Sequence, residues 1–222
     1  MRFTHSSYRS LVVAIALVVA LAWPGAATAQ ETNWTLRVQG TWTSPTGEFD
    51  LLSPEGQRVT ASPNEPLGFA VALEYRPIER VGFEFSGMYS RPTIDAAAIY
   101  LDERSEASAD MLFMPLSGAV NLHMTPEKAV DVYAGAMFLW AVYGDLKFVV
   151  PGDGSTFLRG DNDAGWGLQA GVDVPLGGHG WSFSAAIKYM STNLTFTDVE
   201  DGFDFEMKFN PFVLGFGVSG RF

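Results

Sequence analysis

The sequence predicts an all-β protein: an eight-stranded antiparallel up-and-down barrel of the outer-membrane type, crossing a bilayer with its strands. Three observations predict it. The last stretch, Phe209 to Phe222, alternates with a period of two, with Phe212, Leu214, Phe216, Val218, Gly220 and Phe222 on one side and Val213, Gly215, Gly217, Ser219 and Arg221 on the other. Seven earlier segments of about ten residues alternate in the same way, and the connections between them are short and long in turn. Beyond residue 29 no apolar run reaches the length of a transmembrane helix. An apolar strand at a bare terminus would template aggregation. In lipid, helices and closed barrels are the structures that satisfy every backbone group.

At the N-terminus Arg2 and Arg9 precede the apolar run Leu11 to Ala22, then Trp23, Pro24 and the small residues Ala27-Thr28-Ala29. This is the pattern of a secretory signal cleaved after Ala29, which assigns residues 1–29 to a signal peptide and 30–222 to the barrel domain. Fourteen Lys and Arg face 25 Asp and Glu, a net charge of −11. The leader holds two of the arginines and no acid, so the exported chain is more acidic still and nucleic acid is excluded as a partner. With no cysteine, a disulfide framework is excluded as well.

The strands follow in order. Trp34 to Thr43 puts Trp34, Val38 and Trp42 on one face and Arg37, Gln39 and Thr41 on the other. Gly68 to Arg76 sets Phe69, Val71, Leu73 and Tyr75 opposite Ala70, Ala72 and Glu74, and the proline in Arg76-Pro77-Ile78-Glu79-Arg80 predicts a tight turn. Val81 to Ser90 turns Val81, Phe83 and Phe85 out and Glu84, Ser86 and Met88 in. Leu112 to Met124 does the same with Leu116, Val120 and Leu122 against Phe113, Pro115, Ser117, Asn121 and His123. Val130 to Tyr143 is apolar on both faces, and Asp131 sets its parity, with Tyr133, Met137 and Leu139 inward. Gly165 to Leu176 points Gln169 and Asp173 inward; the turn Gly177-Gly178-His179-Gly180 leads to Trp181 to Thr192, with Lys188 inward. The long connections, Ser44 to Leu67, Arg91 to Met111, Gly144 to Ala164 and Asn193 to Gly202, are rich in Asp, Glu, Gly, Pro or Ser. Short turns then belong to the periplasm and long loops to the cell exterior. A soluble ligand-binding barrel would need a polar outer face, whereas this one carries Val, Leu and Phe.

The tail Phe209-Asn-Pro-Phe-Val-Leu-Gly-Phe-Gly-Val-Ser-Gly-Arg-Phe222 and the stretch Gly165-Trp-Gly-Leu-Gln-Ala-Gly-Val-Asp-Val-Pro-Leu176 resemble the OmpW family of small outer-membrane barrels. Val132 to Ala136 and Leu36-Arg37-Val38 are similar to it too. The likeness covers most of the strands and none of the long connections. It implies a narrow, partly apolar lumen that binds or passes small hydrophobic molecules across the outer membrane. A structural or surface-interaction barrel without transport is the alternative.

Depth along the barrel divides the inward residues. Near the periplasmic end lie Arg37, Glu74, Glu84, His123, Asp131, Asp173 and Arg221, with Lys188 somewhat higher. Buried charges persist when paired, so these form a polar plug; conduction of ions or protons is the competing reading. The outer half holds Met88, Phe113, Pro115, Met137, Leu139, Phe209 and Val213, read as an open-topped apolar pocket. Pro115 and Pro211 cannot donate a ladder hydrogen bond and are expected to begin strands or to mark a lateral exit. A lipid-modifying enzyme would need a nucleophile beside its base. His123 has only Ser117 on its own inward face, so no catalytic residue is assigned. No metal-ligand or phosphate-loop pattern occurs, and no cofactor is expected. The expected partners are outer-membrane lipid and lipopolysaccharide, the barrel-assembly machinery through the C-terminal strand, and a small hydrophobic solute.

Overall fold

The computed structural model describes residues 33–46, 49–52, 58–100, 103–126, 130–150, 154–177, 180–199 and 204–222. The signal peptide expected over residues 1–29, and His179, lie outside them. In chain order the described residues form β1 (Trp34–Ser44), β2 (Phe49–Leu52), β3 (Arg58–Pro63), β4 (Leu67–Ile78), β5 (Val81–Ser90), β6 (Thr93–Tyr100), β7 (Glu103–Asp110), β8 (Phe113–His123), β9 (Asp131–Tyr143), β10 (Leu146–Val150), β11 (Gly154–Asp161), β12 (Asp163–Pro175), β13 (Trp181–Asp198), β14 (Asp204–Phe209) and β15 (Phe212–Arg221).

Eight of these make the barrel. The ladder runs β13-β12-β9-β8-β5-β4-β1-β15, each pair antiparallel, and β15 returns to β13. The closing seams are long: β1 meets β15 from Thr35↔Arg221 to Ser44↔Phe212, and β13 meets β15 from Trp181↔Gly220 to Tyr189↔Phe212. Closure pairs the backbone groups that lipid could not satisfy.

Alternation then decides what faces lipid. Along β8, Phe113, Pro115, Ser117, Ala119, Asn121 and His123 are buried while Leu116, Val120 and Leu122 are exposed. Phe85 is 64% exposed and Phe138 62%, values a water-soluble surface would seldom carry in a continuous band. Aromatic residues collect at both ends of the strands. Trp34 and Tyr75 touch at 4.8 Å near the termini, and Trp166, Tyr189 and Phe212 form a chain with centroids 6.0 and 5.1 Å apart at the other end. These are the two interfacial girdles.

Three sequence expectations are corrected. β4 continues to Ile78, so Arg76 and Pro77 stand in the ladder and the turn is Glu79-Arg80; the pairing with β5 shifts register between Tyr75 and Ile78, where Pro77 has no N–H to give. The closing strand begins at Phe212, because Phe209 ends β14 opposite Thr192 and Asn210-Pro211 interrupts the run. Pro115 is within β8 and Pro211 is in that interruption, its carbonyl accepting from the Met190 N–H at 3.1 Å. The long connections are not simple loops. β2, β3, β6 and β7 form a separate four-stranded sheet. β10, β11 and β14 pair around the outer half of β13.

Candidate functional site

The inner end of the barrel, by the chain termini, is filled with paired charge. Arg37 on β1 is its centre, 1% exposed. Its terminal nitrogens donate to Glu74 Oε2 at 2.8 Å, Glu84 Oε2 at 3.2 Å and Asp173 Oδ2 at 2.9 Å, and its guanidinium lies 4.6 Å from the centroid of the Tyr133 ring. Arg76 bridges Glu74 Oε2 at 3.2 Å and Asp131 Oδ2 at 2.6 Å. Arg221 reaches Asp131 Oδ2 at 2.8 Å with a partly exposed side chain. His123 stands between two carboxylates, with Nε2 2.9 Å from Glu74 Oε1 and Nδ1 3.0 Å from Asp131 Oδ1. Amides complete the network: Asn121 donates to Glu74 and Glu84, and Gln169 to Glu84 and to Asn121 Oδ1. Ser219 Oγ donates to Asp173 Oδ1 at 3.1 Å.

Two glycines make space for these side chains. A Cβ on Gly171 would fall 2.4 Å from the Tyr133 ring, and one on Gly82 would meet the Glu74 carboxylate. The pairing explains why these charges tolerate a narrow barrel, since desolvated ions are stable there only when each is met by opposite charge and hydrogen bonds.

All eight residues of the expected plug meet in this end of the lumen, and Lys188 sits higher, with Nζ 3.4 Å from Glu84 Oε1. Arg76 is the member that sequence reasoning missed. Reading it as the start of a turn concealed it, although it continues the inward parity of Glu74. With Arg76, Arg37, Lys188 and Arg221 counted, four fixed cations meet the carboxylates Glu74, Glu84, Asp131 and Asp173.

The outer half is apolar, and here the open-topped pocket is corrected. Phe113, Leu139, Phe209 and Val213 are almost fully buried and pack with Met88, Met190 and Tyr143. The Phe113 ring lies 5.5 Å from Tyr143 and 5.1 Å from Phe209. Met111, Leu146, Leu194 and Phe196, from the outer segments, join the same cluster. Among the described residues the layer is covered, because Leu146 of β10, Leu158 of β11 and Phe209 of β14 pack in or against it. Met88, Pro115 and Val213 line a small cavity below this layer together with Gln39, Thr41, Ser86, Ser117 and Lys188, and it holds on the order of one water molecule. Met137 is buried lower on β9, beside Ala119.

Among the described residues no cluster of His, Cys, Asp and Glu is arranged to hold a metal. Both ring nitrogens of His123 are engaged by carboxylates, and Ser117 Oγ is 2.7 Å from Ser86 Oγ.

A closed ring of eight strands, apolar outside and charged at the inner end of its lumen, defines a transmembrane barrel of the outer-membrane type. The chain belongs to the family of the outer membrane protein beta-barrel domain, whose model matches residues 13–222. Among solved structures it is similar to the outer membrane protein OprG from Pseudomonas aeruginosa, with a TM-score of 0.66 and 15% identity over 86% of this chain and 96% of that one. It is also similar to AlkL in lipid bilayers, with a TM-score of 0.51 and 16% identity over 90% and 94% of the two chains. OprG and AlkL are OmpW-like small outer-membrane barrels, the type that the tail and the Gly165 to Leu176 stretch resemble. At these identities the likeness is one of fold. No curated protein matches the chain.

Proposed function

We propose that this barrel binds small hydrophobic molecules in the outer half of its lumen and passes them across or into the outer membrane, the charged inner half barring straight flow of water and ions. The observation that carries this reading is the change of lining with depth. Met88, Phe113, Met137, Leu139, Phe209 and Val213 are apolar and buried inside the barrel, while the end near the termini holds the Arg37 network. Barrel stability alone asks for filled space, not for this division. On the same reading the leader of residues 1–29 directs export, the strand ending at Phe222 engages the barrel-assembly machinery, and lipid and lipopolysaccharide surround the outer face.

A purely structural role is the second reading, favoured by the small free volume inside. Uptake of a fluorescent apolar probe by liposomes holding the barrel separates the two. Phe113→Asp with Met137→Asp is expected to lower uptake at least tenfold, because two buried carboxylates make the layer hostile to apolar solute. Uptake by the variant equal to that of the unaltered barrel argues against this apolar lining as the route, and none above empty liposomes with either supports the structural role.

A further inference from the structure

Lys188 stands apart from the other charges of the interior. It projects from β13 above the plug, and among the described residues its carboxylate partner is Glu84 Oε1 at 3.4 Å, with Ser86 Oγ at the same distance. Glu84 is already served by Arg37 at 3.2 Å, Asn121 at 3.3 Å and Gln169 at 3.2 Å. His123 decides the charge balance. Both its nitrogens lie within 3.0 Å of carboxylates, which when ionised only accept, so a neutral ring would turn a lone pair against one of them. A ring with both N–H groups satisfies both and is a cation. Arg37, Arg76, Arg221, His123 and Lys188 are then five cations for the four carboxylates Glu74, Glu84, Asp131 and Asp173, one positive charge in excess.

Of these cations, Lys188 is the one that lines the small cavity. Thr41, 4% exposed, lines the same cavity, and its hydroxyl has no hydrogen-bond partner among the described residues. A buried polar group in that state calls for a partner. Beside these two groups Met88, Met190 and Val213 line the cavity, and they belong to the same apolar cluster as Phe113 and Phe209. Methionine is unbranched and repacks readily, so a space that holds about one water at rest can widen for a slender chain.

We propose that this chamber binds an amphiphile with a carboxylate head, the head meeting Lys188 Nζ and Thr41 Oγ1 and the apolar tail running outward between Met88, Met190 and Val213. A cationic head would meet Lys188 with like charge. An uncharged head would bring no negative charge to the cationic excess. Thr192, opposite Phe209, is four steps along β13 from Lys188, a rise of about 13 Å that suits a medium-length acyl chain. The inference rests on the hydrophobic-solute reading and names its substrate class.

The test uses the full barrel, labelled with 13C at its methionine methyls, in nanodiscs of zwitterionic phosphatidylcholine, titrated with dodecanoate, dodecanol and dodecyltrimethylammonium. The outward-facing Met124 methyl, 58% exposed, reports amphiphile that merely enters the bilayer. Dodecanoate is expected to shift the Met88 and Met190 signals saturably, about tenfold more tightly than dodecanol, and the ammonium compound not at all. Lys188→Gln brings dodecanoate down to the affinity of dodecanol, whereas Lys188→Arg keeps the preference; both variants are checked for the heat-modifiable gel mobility of a folded barrel. Equal affinity for dodecanoate and dodecanol, or an unchanged dodecanoate affinity in folded Lys188→Gln, overturns the carboxylate assignment and leaves the hydrophobic-solute reading standing. No shift of Met88 or Met190 with any of the three overturns both.

Discussion

Replacing Arg37 by methionine is expected to destabilise the folded barrel by about 3–5 kcal/mol, the cost of removing one partner from a buried ionic network. Arg37 answers three carboxylates from three other strands, Glu74, Glu84 and Asp173, and methionine keeps most of the apolar stem while deleting the charge. Asp173 then loses its guanidinium partner, and Glu84 keeps Lys188 at 3.4 Å. Urea unfolding of the barrel in lipid vesicles, followed by tryptophan fluorescence, measures the change. Arg221→Met is the comparison: its side chain is 42% exposed and, among the described residues, it is ion-paired with Asp131 alone, so it should cost far less. Similar losses for the two variants would mean that the Arg37 network is not the main electrostatic brace.

The second large effect concerns the lipid face. Phe85→Arg is expected to cost about 2–4 kcal/mol, the penalty for arginine near the bilayer midplane on a transmembrane barrel. Phe85 pairs with Leu73 on one side and Gly118 on the other and projects outward from the middle of β5. Ser108→Arg, exposed on β7 beyond the barrel, should change stability by no more than about 0.5 kcal/mol. Both are read in the same urea titration. A tolerated arginine at position 85 would mean that this side of β5 meets water.

The eight barrel strands could be read from sequence because a strand between lipid and a mixed interior carries its environment in alternate residues. The sides of β1, β5, β8 and β15 follow directly from that alternation, and even the doubly apolar β9 is oriented by one residue, Asp131. The charged end of the lumen was legible for the same reason, since an isolated charge on an otherwise apolar strand must point inward. Arg76 was hidden by Pro77, whose turn preference competes with parity. The outer hairpins were hidden because no lipid imposes a contrast between their two faces. The closure of the apolar half was beyond reach from sequence: it depends on Phe113, Tyr143 and Phe209 converging from β8, β9 and β14, and on side chains such as Met111 and Phe196 reaching over the mouth. Alternation reports which side a residue faces, and not how tightly opposite walls approach.

The division of the lumen into an apolar outer half and a sealed charged inner half can be measured by contacts between 13C-labelled octane and the methyl-labelled barrel in nanodiscs. Nuclear Overhauser effects from octane to Met88, Leu139 and Val213, with none to the His123 ring, are the expected result. Contacts confined to outward-facing methyls such as Met124 and Leu168, or contacts that extend down the lumen to His123, would contradict it.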